Sequence, residues 1–556
     1  MDAPMNEKLL KYSLLSRLLV FTLQVVFNIL IPDHNADVFN PPYDQSKDNP
    51  LDTCVHYILG GFIRWDGVYF LHVAEHGYIY ENSLAFFPLF PWCVRILANS
   101  LCLPMQFVMQ YRTVLIVSGF IFNFYIFLKT TNVLYRLSKS ILKSESLAYK
   151  AALLFCFNPA SIFMSAFYSE ILFAYLTFYS MLKFEERKRN HSVMLSSLSC
   201  LSRSNGLLTA GFELHKRCQN IVIHLLYSKK DFISKISLIL TEILKVMIYL
   251  ILILLPFLIY QFYISDLFCN QSGKWKIPEF LIQYGRQRSY NLVNETNFDW
   301  CKNRIPFAYS HVQNTHWNVG FLRYYEFRQI PNFILALPVS VLSVSSVIYY
   351  YRHNRRRCLT LGLIPEKDIK DSEKNGFMNK RMLPYIAYLL FITVFGWFFI
   401  HIQVLTRMVF SSSPVVYWYA AIVISTDHHA KHIKTSYKKH SKTHITDEII
   451  KELYILHSKN EFNMERIGHI EEIYAEQDNF MDNPEDWKIE VIECIKGRRL
   501  YSFKKKYQKE IDASDENLYD DVDRSELLET IPLFQDMNPK DYIEKEMSLK
   551  EIYLKI

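Results

Sequence analysis

Along the first three quarters of the chain, apolar residues gather in runs of about twenty, the length a helix needs to cross a bilayer. These runs cover 9–31, 113–134, 162–182, 193–214, 236–264, 332–351 and 383–402, with a shorter one at 415–425. Charges are sparse inside them, and polar segments separate them. Soluble cores seldom repeat long uncharged runs, so the pattern predicts an all-α polytopic membrane protein rather than buried helices of a soluble one. The first run is preceded by Lys8 and Lys11 and lacks a small-residue cleavage site, which predicts a retained anchor rather than a cleaved leader.

Composition sharpens this picture because it is uneven. Of 556 residues, 50% are hydrophobic and 21% charged. Residues 427–556 hold 21 Lys/Arg and 29 Asp/Glu, a net charge of −8, whereas residues 1–426 hold 41 and 26, a net charge of +15. The sequence therefore divides into a multi-pass membrane body, 1–426, and a charged soluble tail, 427–556. A single soluble domain, collagen, wholesale disorder and a disulfide-dense secreted module are excluded.

Basic clusters at Lys183 to Arg189, Lys229/Lys230 and Arg352 to Arg357 mark the cytoplasmic side. The loops 32–104 and 265–331 then fall on the opposite, lumenal side. Two details of the second loop agree. It carries the sequons that begin at Asn270 and Asn294, candidates for N-glycosylation, and it holds Cys269 and Cys301, where a disulfide can form. Chance sequons and free thiols are the plainer alternatives. No cysteine spacing among the ten resembles a zinc site. Between residues 151 and 192 the chain passes Phe157-Asn158-Pro159-Ala160, where proline breaks a helix. The flanking basic clusters require an even number of crossings, which predicts a pair of helices there, one partly re-entrant, beside a cavity.

The first loop is dense in ionisable and aromatic groups. It opens Pro32-Asp33-His34 and continues through Arg64-Trp65-Asp66, Ala74-Glu75-His76-Gly77-Tyr78 and Phe86-Phe87-Pro88. On a helix starting near Trp65, Asp66 shares a face with Tyr69 and Phe70. A carboxylate there serves either as a chemical base or as a helix cap. Glu170 and Arg203 interrupt apolar runs, where a charge is costly and marks a site; the alternative is that they pair with one another for folding. Arg407 follows the 383–402 run and suits either a phosphate, which a guanidinium fork matches, or a snorkelling role at the interface. Glycine-rich phosphate loops are absent, which favours a lipid-linked phosphate donor over a soluble nucleotide.

Taken in order, these blocks resemble the dolichyl-phosphate-mannose-dependent GPI mannosyltransferase 2 family, of the GT-C type. The resemblance also rests on Phe157-Asn158-Pro159-Ala160-Ser161-Ile162-Phe163, Tyr168-Ser169-Glu170, Ser202-Arg203-Ser204-Asn205-Gly206, Trp317-Asn318-Val319-Gly320-Phe321, Pro331-Asn332-Phe333, His401-Ile402-Gln403-Val404, Thr406-Arg407 and Tyr417-Trp418. It covers roughly residues 1–421. It implies a GT-C-like helical bundle with lumenal loops in the endoplasmic reticulum membrane. It implies an inverting transfer of the second mannose, in α1,6 linkage, from dolichyl phosphate mannose to the GPI precursor.

Asp66 matches the family's Trp-Asp position and is the expected base, with Asp33 and Glu75 as alternates. Arg203 and Arg407 are expected at the phosphate, Glu170 in the substrate site, and Trp65 and Tyr78 against sugar. No metal or other cofactor is expected, although Asp33 and Asp66 offer oxygens to a divalent ion. The expected partners are the two lipid substrates, bulk lipid and an accessory membrane subunit, with no nucleic acid. A non-catalytic scaffold subunit and a lipid transporter or scramblase are the competing functions. The tail carries helical patterning, as at 447–457, and reads as an interaction domain, as an unstructured segment, or as a sequence foreign to the family. The last is preferred, because the terminal membrane helix that the resemblance implies is missing at the junction.

Overall fold

The computed structural model describes residues 2–31, 38–227, 231–270, 276–293, 295, 298–364 and 376–425. Asp33, His34, Asn294 and the tail from 427, with its predicted helix at 447–457, lie outside the described residues.

Residues Met1–Ala421 form one compact unit. The chain enters through α1 (Asp2–Leu30). It then makes three short helices, α2 (Pro50–Leu59), α3 (Asp66–His76) and α4 (Leu89–Ala98), before the long α5 (Tyr111–Leu142). A tight set follows: α6 (Glu145–Cys156), α7 (Glu170–Glu185), α8 (Arg189–Cys200) and α9 (Ala210–Tyr227). Next come α10 (Phe232–Ser265), the short α11 (Glu279–Gln287) and α12 (Ala308–Thr315), then α13 (Ile330–His353) and α14 (Arg355–Leu359). The last described elements are α15 (Leu383–Phe399), α16 (Ile402–Ser412) and α17 (Val415–Ser425). Among the described residues, Tyr80 and Leu292 form the isolated β-bridge that is the nearest approach to a strand.

Five of these helices are long and apolar enough to cross a membrane. α16 and α17 meet at a bend of 82° and reach a comparable length and hydropathy only when taken together. The least covered is α10, with 17% of its apolar window buried; Leu244 and Phe262 on it are 60% and 75% exposed. Such a surface aggregates in water but is ordinary against lipid. The apolar pattern thus becomes a polytopic helical bundle. α5 packs on α6 and α7, α7 on α8, and α10 on α8 and α9, while α16 packs on the other side of α7 and carries α13 and α15 against it. Trp418, fully buried, donates to the Ser138 hydroxyl at 2.7 Å and so ties α17 to α5.

Two of the predicted runs are corrected. The 193–214 run is not one span: α8 ends at Cys200, a 3-10 turn covers Ser204–Thr209, and α9 starts at Ala210. The mean hydropathy of that window hides the polar block Ser202 to Gly206. Gly206 lies so close to the end of α8 that a Cβ there would meet the Ser199 carbonyl carbon at 2.6 Å. The 162–182 run is likewise a 3-10 turn followed by α7. Two helices do flank the break, α6 and α7, joined through Asn158, whose side chain accepts from the Ala160 amide and donates to the Phe155 carbonyl; at 12 and 16 residues, neither is among the helices long and apolar enough to cross a membrane.

The segments between α1 and α5 and between α10 and α13 pack on each other. The Tyr80 hydroxyl donates to the Leu281 carbonyl at 2.8 Å, the Glu81 amide to the Asn291 carbonyl, and the Val293 amide to the Ile79 carbonyl. Both segments therefore sit on the same side of any membrane. Cys269 and Cys301 are joined by a disulfide within the second of them.

Arg17, in the middle of α1, is 2% exposed. Its guanidinium donates to the carbonyls of Ser161 (3.0 Å) and Cys156 (3.1 Å) and to the hydroxyls of Ser16, Ser161 and Ser165. It also lies 3.7 Å from the centre of the Phe127 ring. One side chain thus staples α1 to the broken segment ahead of α7. Arg17→Met leaves the Ser161 carbonyl without this donor, while the Cys156 carbonyl keeps the Ser16 hydroxyl at 2.6 Å; a buried acceptor left unmet costs about 1–3 kcal/mol. The expected loss is of that size, read as a lowered midpoint in a heat-challenge and gel-filtration assay. An unchanged midpoint would show the staple to be dispensable.

Candidate active site

Four charged side chains from distant parts of the chain converge. Asp66 is the first residue of α3. Its carboxylate accepts from Arg407 Nη1, on α16, at 2.5 Å. The same nitrogen stands 3.5 Å from Glu170 Oε1 at the start of α7, and that oxygen also accepts from Arg203, in the turn after α8. The order is Asp66, Arg407, Glu170, Arg203, with alternating signs and zero net charge. The Glu170 side chain is fully buried, whereas Asp66, Arg407 and Arg203 keep 22%, 16% and 19% exposure. The buried member thus forms the base of the cluster, and the other three reach an accessible surface. Glu170 Oε2 has no hydrogen-bond partner.

Local structure explains each position. Trp65 precedes α3 with φ 51 and provides no side-chain cap. A tryptophan in that region carries strain of about 1–3 kcal/mol, and here it turns the chain so that Asp66 begins the helix. Trp65 itself is 64% exposed, next to Asp66. Gly67 lets the first turn of α3 approach the Phe167–Tyr168 backbone: a Cβ would stand 3.3 Å from the Phe62 carbonyl oxygen and 3.4 Å from the Tyr168 ring. The Tyr168 hydroxyl donates to the Arg64 carbonyl at 2.9 Å. The rings of Phe163 and Tyr168 flank the Arg407 guanidinium at 5.5 and 5.8 Å. Apolar walls of this kind strengthen electrostatic interactions at the cluster.

Other sequence candidates lie elsewhere. Glu75 is nine residues along α3 from Asp66, about 13 Å by helical rise. It pairs with Arg112, and Arg95 donates to its backbone carbonyl. Tyr78 is 2% exposed and donates to the Phe86 carbonyl at 2.7 Å, so its ring belongs to the core and has no free face for a sugar. Asn270 is exposed, and its amide donates to Asp266. Among the described residues, no group of three or more His, Cys, Asp or Glu side chains is arranged to hold a metal ion.

The structure adds a residue that sequence reasoning passed over. Glu81, 1% exposed, accepts from Trp300 Nε1 and Asn291 Nδ2, both at 2.7 Å, and pairs with His316 at 3.0 Å and His311 at 3.5 Å. Burial alone would raise its carboxyl, but the hydrogen bonds from His316, Asn291 and Trp300 outweigh it and hold the group below the usual carboxylate range. The signal available in the sequence was an acidic residue set between the Tyr78 and Phe86 blocks.

The sequence profile of the mannosyltransferase (PIG-V) family matches residues 5–464, beyond the point where the resemblance to individual motifs ends. GPI alpha-1,6-mannosyltransferase 2 of Cricetulus griseus is 38% identical over 421 residues, 75% of this chain and 84% of that protein. The Homo sapiens protein of the same name is 36% identical over 426 residues, 75% and 84% of the two chains. GPI mannosyltransferase 2 of Drosophila melanogaster is 33% identical over 426 residues, 75% and 91%. No solved structure matches.

Proposed function

The chain belongs to the mannosyltransferase (PIG-V) family, and from that premise we propose that it adds the second mannose, in α1,6 linkage, to the GPI precursor. The donor in this reading is dolichyl phosphate mannose, the membrane is that of the endoplasmic reticulum, and the site is lumenal. The observation that carries the reading is the alternation of Asp66, Arg407, Glu170 and Arg203 at an accessible surface beside apolar walls. A sugar transfer from a lipid phosphate needs a base for the acceptor hydroxyl and cations for the leaving phosphate, and the cluster offers one carboxylate and two guanidiniums.

The step balances as follows. Asp66 takes the proton of the acceptor's 6-hydroxyl as its oxygen attacks the anomeric carbon. The new C–O bond forms on the face opposite the phosphate, the old one breaks, and its electron pair leaves with dolichyl phosphate. Inversion results. Arg407 links the two halves. Before reaction its charge is engaged by Asp66 and shared with Glu170. As Asp66 becomes protonated, the Asp66–Arg407 attraction falls and the guanidinium is released to the phosphate as its charge grows. Glu170, fully buried between both arginines, acts as a positioning residue rather than as a group that touches sugar.

The test uses the purified full chain in lipid nanodiscs with a GPI precursor bearing one mannose. Labelled mannose is supplied either as dolichyl phosphate mannose or as GDP-mannose. Transfer from the lipid donor alone, giving an α1,6-linked product and insensitive to EDTA, is expected. Label arriving from GDP-mannose, or no transfer by the purified chain, would contradict the reading, the latter in favour of a scaffold role.

A further inference from the structure

Glu81 does more than join two segments. It binds His316 at 3.0 Å, and so fixes the next residue of each strand of chain, Asn82 and Trp317, near one another. Tyr69 is their common neighbour. Asn82 Nδ2 lies 3.5 Å from the Tyr69 hydroxyl, and the Trp317 and Tyr69 ring centres are 5.7 Å apart. Phe86 stacks on Tyr69 at 4.3 Å and meets Trp317 edge-on at 5.8 Å.

Within this aromatic group two polar atoms have no partner in the protein. One is the acceptor Asn82 Oδ1, on a side chain in a residue only 4% exposed; the other is the donor Trp317 Nε1. Buried polar atoms are nearly always hydrogen-bonded, so each exception asks for an explanation. One acceptor, one donor and the half-buried ring of Trp317 complement a sugar ring, whose hydroxyls donate and accept and whose C–H face packs on aromatics; Tyr69, stacked between Phe39 at 4.0 Å and Phe86 at 4.3 Å, holds the Trp317 ring in place from behind. The Glu81 charge is already met by His316, Asn291 and Trp300. No unpaired cation is among these residues, so the chemistry suits a neutral sugar and not a phosphate. The place is apt as well, because Tyr69 stands three residues after Asp66, on the same face of α3.

We propose that Asn82 and Trp317, backed by Tyr69 and Phe86, form the subsite for the mannose ring of the acceptor that presents its hydroxyl to Asp66. This rests on the reading of the protein as a mannosyltransferase and extends it to the division of the site. The donor phosphate is held by arginines, and the acceptor sugar by this neutral pair.

The test uses Trp317→Phe, which keeps a ring but removes the donor, and Asn82→Leu, which removes the acceptor at similar size. Steady-state kinetics on the full chain vary acceptor and donor separately. Stabilisation of the protein against heat by the one-mannose precursor, without donor, reports binding apart from turnover. Each variant is expected to raise the acceptor KM about tenfold, the equivalent of one good hydrogen bond, with the donor KM changed less than twofold, and to lose most of the precursor's thermal stabilisation. Unchanged acceptor KM in both variants, a rise confined to the donor KM, or a fall in kcat alone would overturn the proposal. If the wild-type chain binds the precursor but transfers nothing, the functional reading falls, while loss of that binding in the variants would still support the subsite. If Asn82→Leu fails to fold, Trp317→Phe alone decides.

Discussion

Asp66→Asn is expected to lower kcat for mannose transfer by about a thousandfold, in the middle of the range for loss of a general base, while the protein still reaches the membrane and elutes as wild type. Asparagine matches aspartate in size and still offers Oδ1 to Arg407, so the geometry of the cluster should persist. What disappears is the ability to hold the acceptor proton. KM for either lipid should move little, because the loss falls on the step in which the proton transfers. Asp66→Glu keeps the carboxylate but displaces it by one methylene, and an intermediate loss is expected. A kcat for Asp66→Asn within tenfold of wild type would remove Asp66 from the role of base.

The second large effect is expected at Arg407. Lysine keeps the charge but loses the planar fork that can face a carboxylate on one side and a phosphate on the other. Arg407→Lys should lower kcat about a hundredfold, in keeping with the loss of one donor to a developing charge, and raise the KM for the lipid donor. Arg407→Met should do more, because it leaves Asp66 and Glu170 facing an incoming phosphate with one guanidinium for three negative groups. Arg203→Lys should cost less than Arg407→Lys, since Arg203 contacts Glu170 and not Asp66. Equal kinetics for Arg407→Lys and wild type would mean that Arg407 only anchors Asp66, a task a point charge can perform.

The parts of this fold that were legible in the sequence are those carried by local composition. The spans beginning near residues 9, 113, 236, 332 and 383 follow from runs long enough for a bilayer, and each became a helix. The cost of charge in apolar surroundings also singled out Glu170 and Arg203, and the structure pairs them. A window average failed where a break was short: Ser202 to Gly206 splits the 193–214 run without lowering its overall hydropathy much. The contact between Asp66 and Arg407, 341 residues apart, has no local signature at all. Nor did Glu75 or Tyr78 betray their fates. Whether a carboxylate is free or bound to Arg112, and whether a ring is a platform or part of the core, depends on what packs against it. Arg17 was legible in principle, as a charge inside the first span, yet an otherwise apolar run masked it.

The claim on which the account turns is that one carboxylate, freed from its arginine as the phosphate charge develops, takes the acceptor proton. An experimental structure of the Asp66→Asn protein with dolichyl phosphate mannose and the one-mannose precursor tests this most directly. The account predicts the residue 66 side chain within hydrogen-bond reach, about 3 Å, of the acceptor's 6-hydroxyl, with Arg407 on the donor phosphate. A side chain at 66 turned away from both sugars, with the phosphate bound somewhere remote from Arg407 and Arg203, would contradict it.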